Sequence, residues 1–265
     1  MVTVKYEGRT GNRLFQYVIA RLVSSHSGLK IGTEWPEPDF IETTTPKEGV
    51  EVYGKQTIVN TIASFDKHDM GYGRWHLEGY FQDAALYNQH REEIKSFFRL
   101  PEFIKNTEDL VVHLRLCDYW CDRIKSVINP LAIIKAIKSI PHRQLFIVVQ
   151  DHPSNKKYLR AFEGYCPQYI SDSPKEDFHF IRSFDKIICA NSSFSWWAAF
   201  LSDARKIVTF DPWWGNPGPK LSNMIGATVM RGGFIRDRQL EALDWDDYWK
   251  KDPRTYCCVR EKWLV

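Results

Sequence analysis

The chain has 265 residues, 43% of them hydrophobic and 14% aromatic, a length for one large or two small domains that buries its core without disulfide or metal. Ten Trp, twelve Tyr and sixteen Phe exclude a disordered or collagen-like chain. The 36 Lys and Arg against 33 Asp and Glu leave a net charge of +3, too small for the electrostatic footprint of a nucleic-acid binder, while phosphate-bearing small molecules stay open as partners.

Val2–Glu7 alternates like a strand and lacks the layout of a signal peptide. Gly8–Gly11 then reads as a tight loop and Asn12 as the N-cap of a helix to about Ser25, with Leu14, Tyr17, Val18, Arg21 and Leu22 on one face. Residues 27–75 hold only short β-like pieces, such as Thr57-Ile58-Val59, between Pro and Gly. Trp75–Phe81 is predicted as a strand and Ala84–Leu100 as one amphipathic helix, stopped by Pro101.

From Asp109 onward apolar runs and helical periods alternate. Strands are predicted at Leu110–Leu114, Gln144–Gln150, Tyr169-Ile170, Asp185–Ala190 and Arg205–Phe210. Helices are predicted at Pro130–Ile140, Asn155–Glu163, Glu176–Ser183 and Ser193–Leu201. Five strands separated by helices of about ten residues imply a parallel, doubly wound α/β sheet. The boundary between two α/β halves is placed near Glu102–Glu108, giving domains 1–105 and 106–265, and the acidic, Trp-rich tail from Gly232 is expected to pack back as helices. There is no internal repeat, and no apolar run approaches the roughly 20 residues of a membrane span.

The six Cys do not look like a disulfide framework. Cys189 lies in an apolar run, Cys257 and Cys258 are adjacent, and Cys117-x3-Cys121 has no second ligand pair for zinc. The expectation is reduced thiols, no metal, and a cytoplasmic chain. The sequon Asn191-Ser192-Ser193 agrees, because a glycan there would block the loop assigned below to ligand binding.

Three clusters sit where predicted strands end, the place at which open parallel sheets bind ligands. Gly8-Arg9-Thr10-Gly11-Asn12-Arg13 lets backbone approach a ligand at a helix N-terminus, yet matches neither the phosphate loop of nucleoside triphosphatases nor the dinucleotide fingerprint. His113-Leu114-Arg115-Leu116-Cys117-Asp118-Tyr119 offers a rigid cationic fork suited to phosphate. Asn191-Ser192-Ser193-Phe194-Ser195 ends a buried strand in three hydroxyls and enters a helix whose Trp196 and Trp197 read as core.

These strings, with Leu14-Phe15-Gln16-Tyr17, Gly79-Tyr80-Phe81-Gln82 and the continuation Trp196-Trp197-Ala198-Ala199, occur in an order that resembles glycosyltransferase family 11, the α-1,2-fucosyltransferases. The resemblance spans residues 1–214 with a gap at 27–75, and leaves the tail unmatched. It implies inverting transfer of L-fucose from GDP-fucose to a sugar hydroxyl of a glycan, α-1,2 to galactose, with no metal and no further cofactor. It implies a B-type fold of two facing Rossmann-like halves with the nucleotide on the C-terminal one. Eukaryotic members usually carry a membrane anchor, so this chain fits a bacterial or viral source.

By motif, Arg115 matches the Arg on the β-phosphate, His113 its neighbour near the nucleotide, and Asp177 an acid that reads guanine. Ser192, Ser193 and Ser195 match phosphate-side hydroxyls, with Gly8, Gly11, Asn12, Asn191 and Phe194 lining the donor. The base for the acceptor hydroxyl is Asp118 or, second, Glu7. Two positions depart from the family: Leu116 stands where a second Arg is usual and Cys117 where Gly is usual, which leaves the donor sugar nucleotide open.

Two other readings compete. Asp244-Trp245-Asp246 has the spacing of a metal-dependent UDP-sugar transferase, but lies beside a helical pattern rather than at a strand end. A non-catalytic carbohydrate-binding protein would use the abundant aromatics, yet most Trp sit in apolar helical runs.

Overall fold

The structure is a computed structural model that describes residues 1–51, 56–59, 62, 73–117, 119, 127–213, 220–235, 239, 240 and 242–250. The chain is mixed α/β with parallel sheets and divides into two compact units, Met1–Phe103 and Ile104–Val265.

In the first unit, β1 (Val2–Val4) leads to Gly8, whose φ of 78° turns the chain. A Cβ at Gly8 would meet Asn12 Nδ2 at 2.4 Å, so the close approach of that amide requires glycine. Helix α1 (Thr10–Ser27) starts two residues before the expected cap. Arg9 is its N-cap, without a side-chain bond, and Asn12 lies within its first turn. Leu14, Phe15, Val18, Ile19, Leu22 and Val23 are all fully buried. At about 1.5–3 kcal/mol for each large apolar side chain, this burial outweighs any capping term in holding α1. Gly28 closes the helix in the left-handed region, its N–H donating to Ser24 O at 3.0 Å.

Strands β2 (Gln56–Val59) and β3 (Arg74–Leu77) join β1 in a three-stranded parallel sheet of order β1-β3-β2, with Val2 opposite Trp75 and Gln56 opposite Arg74. The helix expected over Ala84–Leu100 is instead two short ones, α2 (Ala84–Asn88) and α3 (Arg91–Ser96). The break falls at His90, which leaves the helical region (φ −112°, ψ 19°) as its ring turns toward His26 and Glu93.

The second unit carries β4 (Leu110–His113), β5 (Val127–Ile128), α4 (Pro130–Lys138), β6 (Leu145–Val148), α5 (Lys156–Leu159), β7 (Gln168–Ile170), α6 (Pro174–Arg182), β8 (Lys186–Cys189), α7 (Ser193–Phe200), β9 (Lys206–Asp211), β10 (Ala227–Arg231), β11 (Phe234–Ile235) and α8 (Trp245–Lys250). Short 3₁₀ turns, Pro153–Asn155 and Arg160–Tyr165, flank α5, so the predicted helix 155–163 is regular only at its centre.

Six parallel strands form one sheet in the order β10-β9-β8-β4-β6-β7. Its first strand in the chain, β4, is central. The chain winds outward through β6 and β7, returns, and winds the other way through β8, β9 and β10, so the order reverses between β4 and β8. The sixth strand, β10, was not expected: Ala-Thr-Val-Met-Arg at the sheet edge is largely exposed and lacks the apolar run that marks the buried strands. The tail begins with β11, paired antiparallel to β5, before α8.

The core gathers Leu110, Val112, Ile133, Ile137, Ile147, Ile188 and Val208. At the N-terminal ends of the strands, Asp109 accepts from Arg143 Nε at 3.1 Å and from Gln144 N at 3.1 Å, and Asp185 accepts from Arg205 Nε at 2.6 Å. These two buried carboxylates tie strand starts together at the end of the sheet opposite the motif residues.

Candidate active site

Register sets the site. His113 lies opposite Cys189 across β4 and β8, and Ala190 N–H donates to His113 O at 3.1 Å. His113-x-Arg115 and Asn191–Ser195 therefore leave neighbouring strands at the same end, where the strand order reverses. A small cleft opens there, lined by Leu114, Arg115, Leu116, Tyr119, Ala190 and Asn191 among others.

Arg115 is half-buried, with its guanidinium carbon 5.5 Å from the Tyr119 ring centroid. Tyr119 OH donates to Asn191 O at 3.1 Å, so one side chain braces both the cation and the loop after β8. His113 is buried and its ring lies 5.5 Å from that of Phe194. Burial, with the Arg115 charge nearby, pushes the imidazole down to about 3, so His113 is neutral at ordinary pH and adds no cation.

Two buried polar atoms here, His113 Nδ1 and Asn191 Oδ1, have no hydrogen-bond partner among the described residues. Such groups cost about 1–3 kcal/mol each unless a ligand or water meets them. The Asn191 Nδ2 group is used in the fold, donating to Pro212 O at 3.0 Å.

The three hydroxyls do not behave alike. Ser192 is the N-cap of α7 by backbone, with no side-chain cap bond, and is buried; Ser193 and Phe194 are half-buried. Ser195 corrects the expectation of a ligand-facing hydroxyl: it is fully buried and donates to Ala190 O and Ser192 O, both at 3.3 Å. A hydroxyl on a first helical turn is close to the preceding carbonyls, and here that local bond prevails. Ser193 is half-buried beside the first-turn N–H groups of α7, which have no acceptor within the helix.

Asp177 lies on α6 and its Oδ1 accepts from Asp172 N–H at 3.1 Å. Burial pushes its carboxyl up from the ordinary value. The next residue, Phe178, packs edge-on against Phe194 at 5.5 Å, which connects α6 to the loop after β8.

The departures at 116 and 117 have structural readings. Leu116 is 3% exposed and belongs to the core cluster. Cys117 has φ 49°, a left-handed backbone that glycine adopts without cost. Buried Asn155 holds that turn: its Oδ1 accepts from Cys117 N at 3.4 Å and its Nδ2 donates to Gln150 O at 2.8 Å. Nothing in the sequence pattern marks Asn155, whereas Tyr119 stands inside a quoted motif without an assigned role. Asp118 lies outside the described residues.

The remaining candidates belong to the first unit and form their own group. Glu7 is exposed, with its carboxylate 2.7 Å from Lys5 Nζ. Gln16, fully buried, accepts from Glu7 N at 2.9 Å and donates to Gly79 O at 2.9 Å, while Gln82 donates to Asn12 Oδ1 at 2.8 Å. The structure thus joins the Gly8–Asn12 loop to the Gly79–Gln82 segment, two strings that stand far apart in the chain. Gly11 is buried in α1. Gln16 and Gln82 carry these links, and both stand within the motif strings, where nothing local marks an amide as a tertiary contact.

Asp244 is a helix cap: its Oδ1 accepts from Asp247 N–H at 3.0 Å at the start of α8, and Trp245 between the two acids is buried. The side chain of Asp246 lies outside the described residues. Trp35, Trp196, Trp197, Trp213 and Trp245 are all buried, so these five serve the core.

The profile of glycosyl transferase family 11 matches residues 60–217. A curated relative, an alpha-1,2-colitosyltransferase of Escherichia coli, is 23% identical over 264 aligned positions that cover 80% of this chain and 91% of the relative. No solved structure matches the chain. Among the described residues, no helix is long and apolar enough to cross a membrane.

Proposed function

The chain belongs to glycosyl transferase family 11, and from that premise we propose that it transfers L-fucose from GDP-fucose to a glycan hydroxyl, α-1,2 to galactose, with inversion and without a metal in the transfer step. The observation that carries this reading is the meeting of Arg115 with the Asn191–Ser195 loop where the strand order reverses between β4 and β8. In the transfer, the bond from the anomeric carbon to the β-phosphate oxygen breaks as the acceptor oxygen attacks from the opposite face. The electron pair stays on GDP. Arg115 and the first-turn N–H groups of α7 face that growing charge and stabilise it without reorganising. The acceptor proton passes to a carboxylate, Asp118 by the motif or, second, Glu7. Asp177 selects guanine, since a carboxylate accepts from two adjacent N–H groups that uracil does not present.

The named activity of the E. coli relative supports the linkage and raises a second donor. Colitose is L-fucose lacking one hydroxyl. A site built to hydrogen-bond that hydroxyl rejects the deoxy sugar by a factor of about 10⁴ or more. The experiment is turnover of GDP-fucose, GDP-colitose and UDP-sugars on galactose-terminated acceptors, with and without chelator. GDP-fucose turnover that survives chelator supports the reading. Preference for GDP-colitose moves the donor, and UDP-sugar turnover lost in chelator overturns it. The absence of any turnover together with glycan binding would favour a non-catalytic carbohydrate-binding protein. The proposal keeps the chain in the cytoplasm, where reduced Cys117, Cys166 and Cys189 persist as thiols.

A further inference from the structure

The first unit brings together three side chains of types that ligate metals, none of them in the motif strings. His26 lies in the last turn of α1, His90 immediately precedes α3, and Glu93 is in the first turn of α3. His26 Nε2 is 3.1 Å from Glu93 Oε2, and His90 Nδ1 is 3.3 Å from the same oxygen. All three ligand atoms lie within 4.8 Å of one another, and the two rings stand edge to face with centroids 4.9 Å apart. Each side chain is partly buried, at 32%, 21% and 30% exposure, which holds the group without sealing it from an ion.

We propose that His26, His90 and Glu93 form a divalent-cation site of the zinc class that pins the end of α1 to α3. Tetrahedral bonds of about 2.0–2.1 Å place neighbouring ligand atoms about 3.3 Å apart, and two of the three separations already have that length. Two imidazole nitrogens and one carboxylate oxygen suit Zn²⁺, whereas Ca²⁺ and Mg²⁺ take oxygen ligands. Water completes the fourth position.

The charges agree with a cation. The C-terminal end of α1 adds partial negative charge beside His26. Both ring nitrogens aim at one carboxylate oxygen, and a cation replaces the protons they would otherwise share, so binding releases protons. The residues at 26 and 90 are distant in sequence, which is why no spacing rule finds the site. The transfer proposed above does not use this ion.

The test uses the full chain, stripped with chelator and titrated with Zn²⁺ by calorimetry and with Co²⁺ by visible absorption. Wild type should bind one equivalent, show tetrahedral cobalt bands, and gain thermal midpoint with Zn²⁺. His90→Ala and Glu93→Gln should each weaken binding by at least about 10-fold and lose the midpoint gain. Equal affinity in wild type and both variants would place the ion on other histidines and overturn the site. No heat and no cobalt bands would leave a hydrogen-bonded cluster and also overturn it. Should His90→Ala fail to fold, the near-isosteric Glu93→Gln and His26→Gln decide the matter.

Discussion

Arg115 stands at the end of β4 with Leu116, not a second cation, beside it in the core. A single guanidinium therefore carries the charge-matching that the proposed transfer needs from this motif. Arg115→Ala is expected to lower kcat/KM by roughly 30- to 1,000-fold, about 2–4 kcal/mol, with the circular dichroism of the fold unchanged. Arg115→Lys should recover little, because an ammonium lacks the planar fork. Near wild-type turnover in folded Arg115→Ala would remove the residue from the mechanism. Asp177 has two tasks to separate, since its Oδ1 already accepts from Asp172 N–H. Asp177→Asn keeps that acceptor while removing the charge, so it should weaken GDP more than UDP in calorimetry. Equal losses for both nucleotides would make Asp177 a helix-capping residue only.

The turn after β4 joins sequence to site. Cys117 takes φ 49° and is held by Asn155, and Arg115 and Tyr119 hang from either side of it. A left-handed non-glycine residue costs about 1–2 kcal/mol, partly offset in a glycine variant by about 0.5–1 kcal/mol of chain entropy. Cys117→Gly should thus hold or raise the thermal midpoint, and Cys117→Val, β-branched at the same backbone angle, should lower it. A loss from glycine as large as the loss from valine would refute backbone strain at this turn. The strand-to-loop ends on both sides of this turn were legible because buried parallel strands are short apolar runs bounded by polar residues. The α2–α3 break was not, because the residues 84–100 have a helical period throughout and His90 departs from it where it meets His26 and Glu93, a tertiary contact.

Across the C-terminal unit, stability should depend on acid in two stages. His113 is neutral and buried, its pKa lowered from 6.5 to about 3, first by burial and then by Arg115. The unfolded chain binds that proton more readily, so this contribution is complete above pH 6.5 and is lost as pH falls toward 3. His179, lowered to about 4 by burial, Arg182 and Lys175, acts in the same direction. For His113 the loss is on the order of a few kcal/mol. Asp109, held down first by its bond from Arg143, and Asp185, held down by Lys105 and Arg205 against its burial, add a further loss below the ordinary carboxylate range. Urea titrations followed by the fluorescence of buried Trp196 and Trp197 should show the slope between pH 6.5 and 4, and His113→Gln should flatten it. An unchanged slope in that variant would mean that His113 is hydrated in the native state.

Apolar runs, helical periods and the placing of charged strings at strand ends were local properties, and they sufficed for parallel sheets in an α/β chain, for the family, and for placing Arg115 and Asn191–Ser195 at strand ends, whereas the pairing of β4 with β8 that makes them neighbours came from the tertiary structure. Local patterning works there because buried strands must be apolar throughout, whatever they pair with. It fails where the outcome depends on which distant residue arrives. The edge strand β10 has no core face to reveal it, Ser195 turns its hydroxyl inward to carbonyls of its own loop, and Gln16 and Gln82 show their purpose only once Gly79 and Asn12 are beside them. His26 and His90 meet over Glu93 because α1 ends where α3 begins in space, and burial of the apolar face of α1 sets that meeting, with no spacing along the chain to announce it.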